Sequence, residues 1–244
     1  MVKLSKRLEA LAELVSAGAR VCDVGCDHGW LSISLVQSGK CPKAIAMDIN
    51  HGPLDAARAH VEACCLEDAI ELRLSDGLTA LKAQEADAVV IAGMGGALIR
   101  RILAAGSEVL KSVKELILSP QSEVPSVRFY LRKHGWRICA ETMILEDGKY
   151  YFLMKAIHQT SKDETDSGQA DFSEKEVFSV EDEYGPVLLQ TRPEVFLQWL
   201  KREMKISASI LANLEAAADT EVNADRIAAV KERFTQMEAI YNDV

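Results

Sequence analysis

The amino-acid sequence predicts a doubly wound α/β domain with a seven-stranded sheet, followed by an antiparallel helical hairpin. Three observations predict it. The run Val21-Cys22-Asp23-Val24 stops at Gly25, and a helical pattern with Leu31, Leu35 and Val36 on one side begins a few residues later. Strand, glycine turn and helix in that order open such a sheet, whose ligands bind beyond the carboxyl ends of the strands. Short apolar runs then alternate with helical patterns as far as residue 135, and two strand patterns around Glu146-Asp147-Gly148 close the sheet as a hairpin. Beyond residue 184 the apolar period is helical throughout, in two long segments.

Taken in order, Ser5 caps a first helix running to about Ala17, with Leu8, Leu11, Leu14 and Val15 as its buried stripe and Gly18 as its stop. The first strand, about Arg20 to Val24, leads to a helix from His28 to about Gln37. A second strand is Ala44 to Asp48, and Pro53 starts a helix to about Cys65. Ile70 to Leu74 is the third strand, closed by Ser75-Asp76-Gly77. Ala86 to Ile91 is a fourth, apolar enough to be covered on both faces. It ends in Ala92-Gly93-Met94-Gly95-Gly96 and a helix to about Ala105 that carries Arg100 and Arg101. Leu116 to Ser119 with Pro120-Gln121 is the fifth strand and its turn, and a helix follows from Val124 to His134. The closing hairpin pairs Trp136–Leu145 with Lys149–Ile157.

This pattern divides the chain into a sheet domain, 1–158, an acidic linker or lid, 159–183, and a helical, coiled-coil-like domain, 184–244. The middle stretch holds nine acids against Lys162 and Lys175, a solvated composition. Tyr184-Gly185-Pro186 reads as a sharp turn. The two long helices, about Val195–Ala218 and Asn223–Tyr241, repeat Phe196, Trp199, Leu200, Ile206, Ile210 and Leu214, then Ile227, Val230, Phe234, Met237 and Tyr241.

Composition removes several classes of function. The 244 residues are 48% hydrophobic, enough for a sizeable core, but contain no run of eighteen apolar residues to span a membrane. The amino terminus is charged throughout and reads as a helix rather than a signal peptide. Six cysteines show neither paired spacing nor histidine partners, so reduced thiols in a cytoplasmic protein and no metal site are expected. Residues 1–157 carry 19 basic and 19 acidic side chains, and residues 158–244 supply the whole net charge of −9. A neutral sheet domain leaves room for a local basic patch that meets phosphate.

The strand ends carry the chemistry. Gly25 and Gly29 form a DxGxxxG turn with Asp23 and Asp27 where a dinucleotide's phosphates would sit. Carboxylates there repel a pyrophosphate and suit a cofactor with ammonium and sulfonium groups, which S-adenosyl-L-methionine carries. Asp48 lies 23 residues beyond Gly25, near the spacing at which an acid accepts ribose hydroxyls. Asp76, at the third strand end, can accept from an exocyclic amine. Three glycines in four positions, Gly93, Gly95 and Gly96, leave a flat group access to backbone. The expected cofactor residues are therefore Asp23, Gly25, Cys26, Asp27, His28, Asp48, Ile49, Asp76, Gly77, Gly93 and Met94. For the substrate they are Trp30, Gly95, Gly96, Arg100, Arg101 and Gln121, with Asp27 and Gly95 nearest the chemistry. Each feature also has an ordinary structural reading, such as a tight turn, a solvated charge or close packing.

The segments SKRLEALAELV, DVGCDHGWL, IAGMGGALI, LILSPQ, EDGKYY and EYGPVLL together resemble the bacterial tRNA (adenine-22-N1)-methyltransferases, the TrmK family. The resemblance spans almost the full length. It implies a class I, Rossmann-like fold dependent on S-adenosyl-L-methionine, a carboxy-terminal coiled-coil hairpin, and methylation of N1 of a tRNA adenine. The family's GSDHAYLP stands here as GCDHGWLS, its LQPN as Leu118-Ser119-Pro120-Gln121, and its frequent second-strand Glu as Asp48. Competing readings are a methyltransferase of the same fold acting on another RNA or a small molecule, and a non-catalytic nucleotide-sensing module whose hairpin binds a protein.

Overall fold

The protein is described by a computed structural model covering residues 2–159, 177–216 and 223–243. Its sheet is built from β1 (Val21–Val24), β2 (Ala44–Asp48), β3 (Ile70–Leu74), β4 (Ala88–Ala92), β5 (Glu115–Ser119), β6 (Trp136–Glu146) and β7 (Lys149–His158). The strand order is β3-β2-β1-β4-β5-β7-β6, parallel up to β5, with β7 antiparallel to both of its neighbours. From β1 the chain winds outward through β2 to β3, then returns to place β4 on the other side of β1. The loops after β1 and β4 therefore leave in opposite directions and open a crevice between them.

Alternation along the strands assigns the helices to faces. Val89 and Ile91 of β4 join one core with Ile99 and Leu103 of α4 (Gly96–Ala105) and with Val127 and Leu131 of α6 (Val124–Lys133). Ala88 and Val90 face the other core. That core is completed by Leu11 of α1 (Lys6–Leu14), Leu31 and Leu35 of α2 (Trp30–Gln37), and Leu54 and Val61 of α3 (His51–Ala63). A strand buried on both faces needs apolar residues at successive positions, which is why β4 reads as an unbroken run. It starts at Ala88 rather than Ala86. Asp87 is held just outside it, its carboxylate accepting from Arg20 Nε at 2.8 Å and pairing with Lys114 Nζ at 3.0 Å.

Three short helices were not foreseen: α5 (Ser107–Leu110), α7 (Val180–Tyr184) and α8 (Pro186–Thr191). Of the acidic stretch 159–183, residues 160–176 lie outside the described residues. Its far end is not a solvated linker. Ser179 and Asp182 form a capping box, and Asp182 pairs with Arg132 of α6 at 2.6 Å. Chain contacts divide the protein into two compact units, 1–187 and 188–244. The second unit begins four residues after the expected 184, and Val187, the last residue of the first unit, donates its N to Glu141 Oε2 on β6 at 3.0 Å.

The second unit contains α9 (Glu194–Ala216) and α10 (Ala224–Asn242), which pair antiparallel. Arg192, before α9, donates to the carbonyls of Ile240, Tyr241 and Asp243, and Lys231 pairs with Glu215 at 2.8 Å near the other end. Of the expected apolar stripe on α9, Phe196 and Leu200 are buried, whereas Ile206 and Ile210 remain 41% exposed.

Candidate functional site

A cavity of about 540 Å³ lies at the carboxyl ends of β1 to β4, lined by residues from each of them. At β1 the turn is fixed by two backbone donors, Gly25 N and Cys26 N, both bonding Met47 O at 2.8 and 2.9 Å. Gly25 has φ +72°, and a Cβ there would come within 2.3 Å of Met94 Cε. The positive φ favours glycine, and any side chain there would have to displace Met94. Gly29 is a glycine for a different reason: its φ is +73° and a Cβ would meet Ala57 Cβ at 3.1 Å, so it lets α2 approach α3.

The acids take distinct settings. Asp23 is buried and accepts from Ser32 Oγ at 3.0 Å; burial lifts its carboxyl to about 6, and nearby Asp48 pushes the same way. Asp48 is also buried and its Oδ1 accepts from Asn50 N at 2.9 Å, leaving oxygen toward the cavity it lines. Next to it Ile49 is 58% exposed, an apolar side chain on the cavity wall. Asp76 and Gly77 line the β3 end, where Ser75 Oγ fixes the turn by accepting from Ala80 N at 3.1 Å. Asp27 stands at φ +50° with its side chain 75% exposed, 3.6 Å from His28 Nε2.

The β4 loop corrects part of the sequence reading. Gly93 and Met94 line the cavity; Gly95 and Gly96 do not. A Cβ on Gly96 would lie 2.6 Å from Ser122 O and 2.8 Å from Glu123 O, and one on Gly95 would lie 3.1 Å from Ser122 Oγ. These two glycines let the start of α4 close on the turn after β5. Arg101 lines the cavity and Arg100 does not, since adjacent helical residues point about 100° apart. Gln121 is also in the lining, its backbone N bonded to Met94 O at 2.9 Å. Trp30 lines the cavity with its ring stacked on His60 of α3, centroids 3.9 Å apart. His60 Nδ1 lies 3.0 Å from His28 O.

Sequence reasoning missed Arg7, Asn50, Leu98 and Ile102, all in the lining, and the His60 support for Trp30. Of these only Arg7 falls in a segment the resemblance rests on, SKRLEALAELV, and nothing in that segment marks it as a site residue. Among the described residues no group of three or more His, Cys, Asp or Glu is placed to hold a metal ion. None of the described helices is long and apolar enough to cross a membrane.

The buried acid has a measurable consequence. Asp23 binds its proton more tightly folded than unfolded, where the ordinary value is 3.8. As pH rises from about 4 to about 6 the unfolded chain releases that proton first, so stability falls over this window and stays reduced above it. Asp23→Asn keeps an acceptor for Ser32 and should stabilise the protein at neutral pH by on the order of 3 kcal/mol. The gain should vanish near pH 4. Thermal melts of both proteins at the two pH values check it, and an equal gain at both would contradict it.

Four aspartates and two guanidiniums, those of Arg7 and Arg101, line this cavity. A cofactor with sulfonium and ammonium groups fits that charge balance. Sheet order, switch-point cavity and acidic strand ends define a class I methyltransferase that uses S-adenosyl-L-methionine. A methyltransferase-domain family model matches residues 4–154. The tRNA (adenine(22)-N(1))-methyltransferase of Bacillus subtilis (strain 168) is 35% identical over 240 residues, covering 98% of this chain and 97% of its own. The crystal structure of the B. subtilis M1A22 tRNA methyltransferase TrmK superposes with a TM-score of 0.84 at 34% identity, covering 99% of this chain and 100% of the other. Streptococcus pneumoniae Sp1610, solved in complex with S-adenosyl-L-methionine, gives 0.83 at 30% identity over 98% and 100%. The chain belongs to the methyltransferase-domain family and, within it, to the tRNA (adenine(22)-N(1))-methyltransferases.

Proposed function

We propose that this protein methylates N1 of adenine 22 in tRNA, in the cytoplasm, with S-adenosyl-L-methionine as donor. The observation that carries the reading is likeness to the B. subtilis enzyme over 98% of the chain, helical unit included. In this reading the described sheet domain is the catalytic part and the helical unit belongs to the handling of tRNA.

The cofactor supplies a methyl group already activated on sulfur. The protein's share is to align the acceptor nitrogen and exclude water. Asp48 accepts from the ribose hydroxyls and Asp76 from the adenine amine, with Ile49 as the apolar face between them. Asp23 and Asp27 provide negative charge for the cationic end. The target base enters beside the loop after β4, whose Gly93 and Met94 line the cavity. Trp30 offers the ring face that His60 does not cover. Methylation at N1 leaves the base cationic, and Asp27 at the cavity mouth is the carboxylate that stabilises the charge as it develops. Arg101, with Arg100 beside it on α4, meets phosphate, and Gln121 contributes hydrogen bonds to the base.

Asp48→Ala should weaken binding of S-adenosyl-L-methionine by roughly 1–3 kcal/mol, the range for a hydrogen bond to a charged group. Calorimetry checks it, and unchanged affinity in both Asp48→Ala and Asp76→Ala would remove the adenosine half from these strand ends. For the substrate, labelled methyl should enter a tRNA transcript and be lost when its adenine 22 is replaced by guanine. Equal labelling of the two transcripts would contradict the site of modification.

A further inference from the structure

We propose that Trp30 is a catalytic residue whose ring face attracts the positive charge that methylation places on the target base, with His60 as the positioning residue behind it. This rests on the adenine-N1 reading above and deepens it. Trp30 is the first residue of α2, and His60 lies near the end of α3. Gly29 brings them together. A Cβ there would already stand 3.1 Å from Ala57 Cβ, and His60 shares the face of Ala57 one turn further along α3. The two rings stack with centroids 3.9 Å apart and planes 23° apart. His60 is fixed a second time by its Nδ1, 3.0 Å from His28 O. A carbonyl can only accept, so that nitrogen carries the proton and donates it.

The face that matters is the one His60 does not cover. Trp30 is half-buried, and among the described residues it is the one Phe, Tyr or Trp that lines the cavity. The cofactor's own adenine is met by Ile49 at the end of β2, which leaves the indole for a second flat group. Among the described residues the cations seated over ring faces are Arg7 on Tyr151, Arg128 on Phe152, and Arg132 and Lys133 on Phe129. None of these sits on Trp30, so its face is not already matched to a positive side chain.

Movement of charge makes that face catalytic. In the transfer the adenine N1 lone pair forms the new N–C bond, and the electron pair of the C–S bond stays on sulfur. One positive charge therefore leaves the sulfonium and arrives on the base, spread over its ring. A neutral adenine stacks on indole. A cationic one is also drawn to the negative ring face, and Trp is the strongest of the aromatic side chains in this respect. The added attraction exists in the transition state and not before it, so it raises turnover rather than affinity for the substrate. His60 acts through Trp30: with its back face covered, the indole is kept from turning away from the base.

Single-turnover methylation of unmodified tRNA by the full chain, at saturating tRNA and cofactor, tests this. Trp30→Leu should lower the rate about 2- to 30-fold, the worth of a cation–π contact, and leave S-adenosylhomocysteine affinity unchanged. Trp30→Phe, which keeps a packed but weaker face, should fall between the two and serves if the leucine variant does not fold. His60→Ala should lower the rate about 2- to 10-fold, His60→Phe should restore it, and His60→Ala should cost nothing further in Trp30→Leu. Equal loss from His60→Ala in both backgrounds would overturn the positioning role. An unchanged rate in Trp30→Leu, with or without a raised KM for tRNA, overturns the proposal, because the ring would then be at most a neutral stacking surface. So does weaker S-adenosylhomocysteine binding in that variant, which would give the ring to the cofactor. A wild type that methylates no adenine would instead overturn the functional reading, and this proposal with it.

Discussion

Glu141→Ala should destabilise the protein by about 3–5 kcal/mol, the largest single effect expected outside the cavity. Arg128 and Glu141 are paired at 2.9 Å with each side chain 1% exposed. Burial pulls the Arg128 guanidinium below the usual arginine range, and the Glu141 carboxylate opposes that pull. Without Glu141 the charge stays buried and uncompensated. Arg128 Nη1 also donates to the carbonyls of Asp182 and Glu183 at 3.1 and 3.0 Å, while Glu141 receives Val187 N. The pair therefore fastens the segment from α7 to Val187 onto the sheet domain. Gly185 completes the fit: a Cβ there would lie 2.6 Å from Glu141 Oε2 and 2.8 Å from Arg128 Nη2. Urea unfolding measures the loss, and Arg128→Met with Glu141→Leu together should restore most of it, because an apolar pair leaves no charge to compensate. A single-variant loss below about 1 kcal/mol would mean that water reaches the pair.

The second large effect is on ligand binding. Gly25→Val should weaken S-adenosyl-L-methionine binding by about 2–3 kcal/mol, roughly 30- to 150-fold, while the fold survives. Valine at φ +72° costs about 1–3 kcal/mol of backbone strain. The new side chain also drives Met94 from its place, and Met94 lines the same cavity. Gly39→Ala is the control, with φ +73° and nothing within 4 Å of the added Cβ, away from the cavity. It should lose stability and keep its affinity. Equal affinity in all three proteins, measured by calorimetry, would put the cofactor elsewhere.

The strand ends were legible because sheet strands leave local marks. Period, flanking glycines and an acid at the end of β2 can be read without knowing any neighbour, and Asp48 and Asp76 do stand in the cavity lining. Arg7 was not legible as a site residue, because its approach to Gly93 joins positions 86 apart in the chain. Gly95 and Gly96 were legible as glycines but not in purpose. The same residue permits a ligand or a neighbouring turn to come close, and only the position of Ser122 and Glu123 decides between them. The helix α7 shows the opposite error. Acidic composition suggested solvation, yet Ser179-Val180-Glu181-Asp182 spells a capping box, and Arg132 waits to pair with its acid.

The central claim is methyl transfer to one nitrogen of one base. It is tested most directly by incubating the protein with unmodified tRNA and isotopically labelled S-adenosyl-L-methionine, then digesting to nucleosides for mass spectrometry. The account predicts label in 1-methyladenosine, mapped to a fragment containing position 22. Label confined to another nucleoside, or none in tRNA from a protein that binds the cofactor, would contradict it.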